Sequence, residues 1–131
     1  MKKFSLSIII LFFLVVNFIS CAQNNSSINS ITVQQLNDKI KNDTNLVILD
    51  VRTPEELAGP LGKIDGVINI PVQNLTDRVH ELDKYKNREI AVICRTGHRS
   101  KKGTEILIKN GFDAENVLGG MTEYRAQEKK N

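Results

Sequence analysis

Aromatic residues are scarce in this 131-residue chain, which has no tryptophan, two tyrosines and five phenylalanines. Four of the phenylalanines fall within the first 18 residues, so the remainder holds only Tyr85, Phe112 and Tyr124. A folded domain in that remainder must therefore build its core mainly from aliphatic side chains. The length suffices for one ordinary domain and not for two.

Cysteine and excess charge are also scarce. The chain has only Cys21 and Cys94, too few for the disulfide framework of a small secreted domain. There are 18 basic and 15 acidic residues, a formal net charge of +3. Lys2 and Lys3 belong to a segment that we expect to be removed, and without them the balance is 16 against 15, or +1. This near-balance argues against a nucleic-acid partner, because phosphate binding needs a concentrated basic surface.

The first twenty residues have the pattern of an export signal. Lys2 and Lys3 precede an uninterrupted apolar run over residues 8–16, and the chain turns polar after Cys21. This order is typical of a secretory signal peptide. A retained transmembrane helix needs about 20 apolar residues, whereas residues 4–19 number sixteen. We therefore expect residues 1–20 to be a signal peptide.

The end of this signal, Phe18-Ile19-Ser20-Cys21, resembles the lipobox of bacterial lipoproteins, with Phe18 in place of the usual Leu. The resemblance implies that Cys21 receives a diacylglyceryl group and becomes the new N-terminus. Residues 21–30 would then form a lipidated cysteine and a flexible tether on a bacterial membrane, facing the periplasm. The alternative is an ordinary secreted protein in which Cys21 occurs by chance.

Residues 31–131 alternate apolar runs with amphipathic segments. Residues 46–49 and 90–93 are continuous aliphatic runs, typical of strands buried on both faces of a parallel sheet. Further strands are predicted at 31–32, 67–70 and 116–118, and helices from 33 onward and at 74–85, 100–110 and 121–127. Asn74 or Thr76 is the expected cap of the second helix. The alternation predicts a single α/β domain with a mainly parallel sheet.

The clearest functional signal follows the strand at 90–93 and reads Cys94-Arg95-Thr96-Gly97-His98-Arg99-Ser100. The strand delivers Cys94 to the carboxyl edge of the sheet, where open α/β proteins bind ligands. Gly97 can adopt a positive φ, so the turn can aim successive amides at one point beside a helix start. These amides and the charges of Arg95 and Arg99 favour a thiolate at Cys94.

A buried and inert Cys94 is the alternative interpretation, because cysteine is commonly buried. The two arginines and the glycine that follow argue against an apolar burial site, since charges are rarely buried unpaired. We therefore predict that Cys94 is a nucleophile.

The segment 94–100 resembles the active-site loop of single-domain rhodaneses, which are thiol sulfurtransferases. Residues 49–57, residues 62–71 and Gly119-Gly120 with Tyr124 are similar to further motifs of that family, in the same order. The resemblance covers residues 31–127. It departs from the family at Leu57, Lys63 and Tyr124, which affects donor preference and packing rather than the nucleophile.

The resemblance implies a rhodanese-like three-layer fold, with a central five-stranded sheet flanked by helices. It also implies that Cys94 takes a sulfane sulfur from a donor such as thiosulfate and passes it to cyanide or a thiol, without a cofactor. The loop from Arg95 to Ser100 would hold the resulting persulfide and the departing anion.

Three other residues lie at or near the same edge of the predicted sheet. Asp50 and Arg52 follow the strand at 46–49, and we interpret them as a salt bridge that orders the loop rather than as substrate contacts. His98 lies in a tight turn, from which its ring is expected to point outward. Neither His80 nor His98 has partners at metal-ligand spacing, so no metal is assigned.

Other functions remain open at the level of sequence. Cysteine phosphatases place five residues between the cysteine and the arginine of their loop, whereas four separate Cys94 from Arg99. A non-catalytic binding module and a persulfide sensor are the remaining alternatives. We expect a monomer whose partners are a small anionic sulfur donor, a thiol or cyanide acceptor, and the membrane.

Overall fold

The computed structural model describes residues 27–130. The predicted signal peptide, Cys21 and the first part of the tether lie outside the described residues. Within residues 27–130, no helix combines the length and the apolar character needed to cross a bilayer.

Strands and helices alternate along the described residues. The five strands are β1 (Ser30–Ile31), β2 (Val47–Asp50), β3 (Ile68–Asn69), β4 (Glu89–Ile93) and β5 (Asp113–Val117). The five α-helices are α1 (Val33–Asn42), α2 (Pro54–Leu57), α3 (Val72–Arg78), α4 (His98–Lys109) and α5 (Gly120–Glu128). A 3₁₀ segment, Val79–Tyr85, continues α3.

The strands form one sheet in the order β1-β5-β4-β2-β3, and every pair of neighbours is parallel. This confirms the predicted α/β fold with a five-stranded parallel sheet. β4 lies at the centre, with Asp50 of β2 opposite Ile93. Because all the strands point the same way, the residues that follow β2 and β4 meet at one edge of the sheet.

Two aliphatic cores cover the two faces of this sheet. Alternate residues of β4 point to opposite faces: Ile90 and Val92 join one cluster, and Ala91 and Ile93 join the other. A strand in such a position needs apolar side chains at every residue, which explains its continuous aliphatic run. Buried leucines, isoleucines and valines dominate both clusters, as the shortage of aromatics requires.

The helix predicted over residues 74–85 is wrong in its start and in its regularity. α3 begins at Val72, directly after Pro71, whose φ of −54° is suited to a helix start, and no side chain caps it. Asn74 and Thr76 therefore lie inside the helix and do not cap it. The chain tightens into the 3₁₀ segment from Val79, which apolar spacing cannot distinguish from a continuing α-helix.

The helix predicted to begin at Ser100 begins two residues earlier, at His98. The helix therefore starts inside the cysteine motif. The short α2 is absent from the sequence prediction, because four residues are too few to show a helical period. A capping box between Thr53 and Glu56 stabilises this helix at its start.

Candidate active site

The Cys94 sulfur lies at the carboxyl end of β4, inside a turn that leads into α4. The amide of Gly97 donates a hydrogen bond to Sγ at 3.1 Å, and the Ser100 hydroxyl lies 3.3 Å from the same atom. The backbone amides of Thr96 and Ser100 also lie near enough to the sulfur to favour its negative charge. These donors converge on one atom, which is the arrangement expected for a bound anion.

Gly97 makes this convergence possible. Its φ of +101° lies in the left-handed region, where a residue with a side chain is strained. The next residue, His98, is the first of α4, so the turn and the helix start face the sulfur together. His98 itself is exposed to solvent.

The hydrogen bonds determine the direction of the thiol's pKa shift. Burial alone raises the pKa of Cys94, because it disfavours the charged form. The Ser100 hydroxyl and the amides of Ser100, Gly97 and Thr96 oppose burial, and the net effect lowers the pKa below its ordinary value. The site therefore favours the thiolate without a neighbouring base.

Cys94 is more buried than the sequence suggested. The residue is 1% exposed and packs into one of the two aliphatic clusters. The arginines that follow Cys94 do not prevent its apolar burial, contrary to our prediction, because their side chains turn away from the core. Arg95 is exposed and forms no ion pair within residues 27–130. The polarity at Sγ comes from amides and one hydroxyl.

Arg99 is held by a partner that sequence reasoning missed. Its two terminal nitrogens lie 2.6 Å from the two carboxylate oxygens of Glu56 in α2. These hydrogen bonds, together with the charge of Arg99, lower the pKa of Glu56 to about 2. The two residues are 43 positions apart. The only feature of the sequence that could have indicated Glu56 as this partner was its position within the 49–57 motif.

Asp50 and Arg52 form a buried ion pair, 0% and 1% exposed. The Arg52 guanidinium donates to the Asp50 carboxylate at 2.7–3.1 Å and to the carbonyl of Gly62 at 2.8 Å. A weaker contact of 3.4 Å reaches the carbonyl of Glu56 at the end of α2. The pair thus ties together β2, α2 and the following loop, which is the structural role we favoured over substrate contact.

The Gly119-Gly120 pair allows the start of α5 to pack against the backbone of the cysteine loop. The amide of Met121 donates to the Cys94 carbonyl at 2.8 Å, and that of Thr122 donates to the Arg95 carbonyl at 3.0 Å. A Cβ added to Gly120 would lie 2.4 Å from the Cys94 carbonyl oxygen. Only glycine allows α5 to approach the loop so closely. The sequence predicted a turn and a family motif at this pair, but not its contact with the cysteine loop.

A cavity of about 490 Å³ adjoins the loop. Arg95 and Thr122 form part of its wall, and Pro60 and Leu61 form another part. Its volume lies within the range of about 300–1,000 Å³ that is usual for small-molecule sites. A second cavity of about 400 Å³ lies at the opposite edge of the sheet, away from Cys94.

No group of three or more His, Cys, Asp or Glu side chains in residues 27–130 is arranged to hold a metal. Of the predicted loop residues, Thr96, Gly97 and Ser100 surround Sγ, whereas the side chain of Arg99 is bound to Glu56 and those of Arg95 and His98 are exposed. Arg95 contributes its carbonyl to the contact with α5, while its side chain stays at the surface beside the cavity.

Comparison with known proteins places these features in a family. The family model for the rhodanese-like domain matches residues 32–127. YtwF of Bacillus subtilis (strain 168), a candidate sulfurtransferase, is 35% identical over 102 residues, 78% of this chain and 95% of that protein. YrkF of the same organism, a candidate sulfur carrier protein, is 36% identical over 104 residues, but the chain spans only 54% of its length. The thiosulfate sulfurtransferase PspE of Escherichia coli (strain K12) is 31% identical over 75 residues, 57% of this chain and 70% of that protein.

Solved structures show the same fold. A rhodanese-like domain protein from Staphylococcus aureus has 37% identity and a TM-score of 0.67, covering 74% of this chain and 91% of that one. A rhodanese-related protein from Thermoplasma volcanium has 33% identity and a TM-score of 0.67, covering 76% and 92%.

Proposed function

Because the chain belongs to the rhodanese-like family, we propose that it is a sulfurtransferase that carries a sulfane sulfur on Cys94. The observation that supports this most directly is the set of hydrogen-bond donors that converge on Sγ and lower its pKa. The relatives YtwF and PspE support sulfur transfer in general. We further propose thiosulfate as the sulfur donor and cyanide or a thiol as the acceptor.

The first half-reaction loads the enzyme. The Cys94 thiolate attacks the outer sulfur of thiosulfate, an S–S bond forms, and the S–S bond of thiosulfate breaks. Sulfite leaves with the electron pair of that broken bond, and Cys94 is left as a persulfide anion. The amides of Thr96, Gly97 and Ser100 would hold the negative sulfur, in the manner of an oxyanion hole.

The second half-reaction unloads it. Cyanide attacks the outer persulfide sulfur, the S–S bond breaks, and its electron pair returns to Cys94 as the thiolate. The products are thiocyanate and free enzyme, so atoms and charge balance over the cycle. A thiolate acceptor would react in the same way and leave as a persulfide. Two separate half-reactions predict ping-pong kinetics.

Phosphatase chemistry fits the loop less well. Four residues separate Cys94 from Arg99, one fewer than the five that surround a tetrahedral phosphate in cysteine phosphatases. In addition, both terminal nitrogens of Arg99 donate to the carboxylate of Glu56, so the charge that would attract a phosphate is already compensated.

The mass of the intact protein tests the proposal. Purified protein is incubated with thiosulfate, freed of excess donor and measured with and without later addition of cyanide. We expect a gain of one sulfur atom that cyanide removes, with thiocyanate formed in equal amount. Cys94→Ser is the matched control and should gain nothing.

The other outcomes separate the alternative functions. A sulfur that loads on Cys94 but is released neither to cyanide nor to thiols would favour persulfide sensing. No loading from thiosulfate or from persulfide donors, with Cys94 still open to alkylation, would overturn the transferase and favour a binding module.

We also propose that the protein is exported and anchored by lipid at Cys21. The support is the order of basic, apolar and small residues followed by Phe18-Ile19-Ser20-Cys21. Anchoring would place the sulfurtransferase at a membrane surface, outside the cytosol.

A further inference from the structure

Glu56 lies close to the sulfur site and has no role in the mechanism above. Its carboxylate accepts two hydrogen bonds of 2.6 Å from Arg99, the residue directly before Ser100. Ser100 in turn contacts the Cys94 sulfur at 3.3 Å. The carboxylate is thus connected to the reacting atom through two adjacent residues of α4.

The charge of Arg99 reaches the thiolate. The pKa of Arg99 is raised first by its hydrogen bonds to Glu56 and, to a smaller degree, by the negative charge of Cys94. A guanidinium that interacts with the thiolate also interacts with an anion that approaches the thiolate, because Coulomb interactions act over several ångströms. With Glu56 beside it, most of that positive charge is cancelled.

Few other charged or titratable groups lie around the site. Arg95 and His98 belong to the loop and the helix start, and both are exposed. The buried Asp50–Arg52 pair is neutral as a unit. Glu55 lies beside Glu56 in α2, is exposed, and forms no ion pair within residues 27–130. The Glu56–Arg99 pair is therefore a partly exposed site at which a single substitution changes the net charge next to the sulfur.

We propose that Glu56 is a specificity-determining residue, whose pairing with Arg99 limits the preference of the site for doubly charged sulfur donors. The inference rests on the proposed sulfurtransferase function. Thiosulfate is a dianion, and a cationic site would attract it more strongly than a persulfide that carries at most one negative charge. Cancelling Arg99 allows the less charged donor to compete.

The chemistry is the same for both donors. With 2-hydroxyethyl persulfide, the Cys94 thiolate attacks the outer sulfur and forms the same enzyme persulfide. The S–S bond of the donor breaks, and 2-hydroxyethanethiolate leaves with its electron pair. The ratio of the two loading rates therefore reports donor charge, while a general loss of loop order lowers both rates together.

The test compares these two rates in single-turnover loading, followed by mass. Glu56→Gln keeps the length of the side chain and removes its charge. We expect the thiosulfate-to-persulfide ratio to rise about three- to tenfold at low ionic strength, and to return toward the wild-type value in high salt. The profile of Cys94 alkylation against pH should also move to lower pH in this variant.

Two further variants test whether the charge of the Glu56–Arg99 pair determines the donor ratio. Arg99→Gln removes the cation and leaves Glu56 uncompensated, so the ratio should fall below that of the wild type. Glu56→Asp keeps the charge on a shorter side chain, so its ratio should stay near the wild-type value even if both rates decline.

Glu55→Gln is the matched control, since it removes one negative charge from the neighbouring residue of the same helix. Its ratio should stay within about twofold of the wild type, because an exposed, unpaired charge is screened by solvent. An unchanged ratio in Glu56→Gln, or an equal rise in Glu55→Gln, would overturn the inference and leave the sulfurtransferase intact. Failure of both donors to load wild-type Cys94 would instead overturn the proposed function and the inference with it.

Discussion

The reactivity of Cys94 depends on hydrogen-bond donors rather than on a neighbouring base. Burial opposes ionisation of the thiol, and the amides of the loop together with the Ser100 hydroxyl reverse that effect. Of these donors, only the hydroxyl can be removed by substitution without changing the backbone. Ser100 is therefore the residue at which the contribution of one hydrogen bond to the thiolate can be measured.

Ser100→Ala should raise the pKa of Cys94, because the thiolate loses one hydrogen bond. At neutral pH we expect alkylation by iodoacetamide to slow by about fivefold, which corresponds to one hydrogen bond of about 1 kcal/mol. Alkylation rate against pH measures this shift. Thr104→Ala is the control, since the Thr104 hydroxyl is buried on the same helix and donates to the Ser100 carbonyl instead. A profile that moves equally in both variants would contradict the prediction.

Among residues 27–130, Arg52 is the largest fully buried side chain, and its charge is compensated by Asp50. Arg52→Met should destabilise the protein by about 3–5 kcal/mol, because it leaves a buried carboxylate without its cationic partner. Urea unfolding measures the loss. The double variant with Asp50→Asn should recover part of it, since the unpaired charge is then removed. If Arg52→Met remained stable but lost sulfur transfer, Arg52 would have a substrate role instead.

At the scale of elements, two helices fix the loop between β4 and α4. α5 donates two amides to the carbonyls of Cys94 and Arg95, and α2 holds the first turn of α4 through the Glu56–Arg99 pair. Neither contact is local in sequence. The geometry of the sulfur site therefore depends on how the helices pack, as well as on the loop itself.

Gly120→Ala tests the approach of α5. The added methyl group would lie 2.4 Å from the Cys94 carbonyl oxygen, at a φ of +56°. We expect a loss of more than about 2 kcal/mol in the free energy of unfolding, from the clash and the left-handed backbone together. Gly111→Ala is the matched control, with a φ of +82° and no atom within 4 Å of the added methyl group. It should cost about 1 kcal/mol, and equal losses in the two variants would show that contact with the loop is unimportant.

The Glu56–Arg99 pair should make stability depend on pH. Folding lowers the pKa of Glu56 from 4.5 to about 2, so the pair stabilises the protein above pH 4.5. That contribution is lost as the pH falls from 4.5 toward 2, because the carboxylate becomes protonated. Glu56→Gln should be less stable than the wild type by about 1 kcal/mol at neutral pH. Urea unfolding of both proteins at a series of pH values measures the difference, and a gap that stays constant down to about pH 3 would contradict the prediction.

At the scale of the whole molecule, the sheet separates the two ends of its strands. β1 runs parallel to β5, so the chain enters the sheet from the amino-end side, whereas Cys94 follows the carboxyl end of β4. The larger of the two cavities described above adjoins this carboxyl edge. The start of β1 and the Cys94 sulfur therefore lie at opposite edges of the sheet.

The proposed anchor is also tested on the whole protein. Cys21→Ser should release the protein from membranes in fractionated cells, because the thiol that would carry the lipid is gone. Sulfur loading on Cys94 should be unchanged in this variant. Cys94→Ser is the complementary control, which should stay with the membrane and lose loading. Recovery of Cys21→Ser in the membrane fraction would contradict the lipid anchor.

The fold and the candidate nucleophile could be predicted from the sequence because both depend on local patterns. A central strand of a parallel sheet must be apolar on both faces, and residues 90–93 show this directly. The loop after it combines a cysteine, a glycine free to adopt positive φ and a helix start, so the position of the thiol could be expected. The start of α3 and its change to a 3₁₀ segment were missed, because apolar spacing does not distinguish two helix types.

Only the tertiary structure decided what surrounds the sulfur. Glu56 reaches Arg99 across 43 residues, and Gly120 meets Cys94 from another strand's end. Such contacts depend on the order of strands in the sheet and on helix packing, which no local propensity encodes. The same holds for the burial of Cys94, since the direction of the arginine side chains is determined by the partners available in space. The sequence alone therefore determined which atom is the candidate nucleophile, and packing determined its electrostatic surroundings.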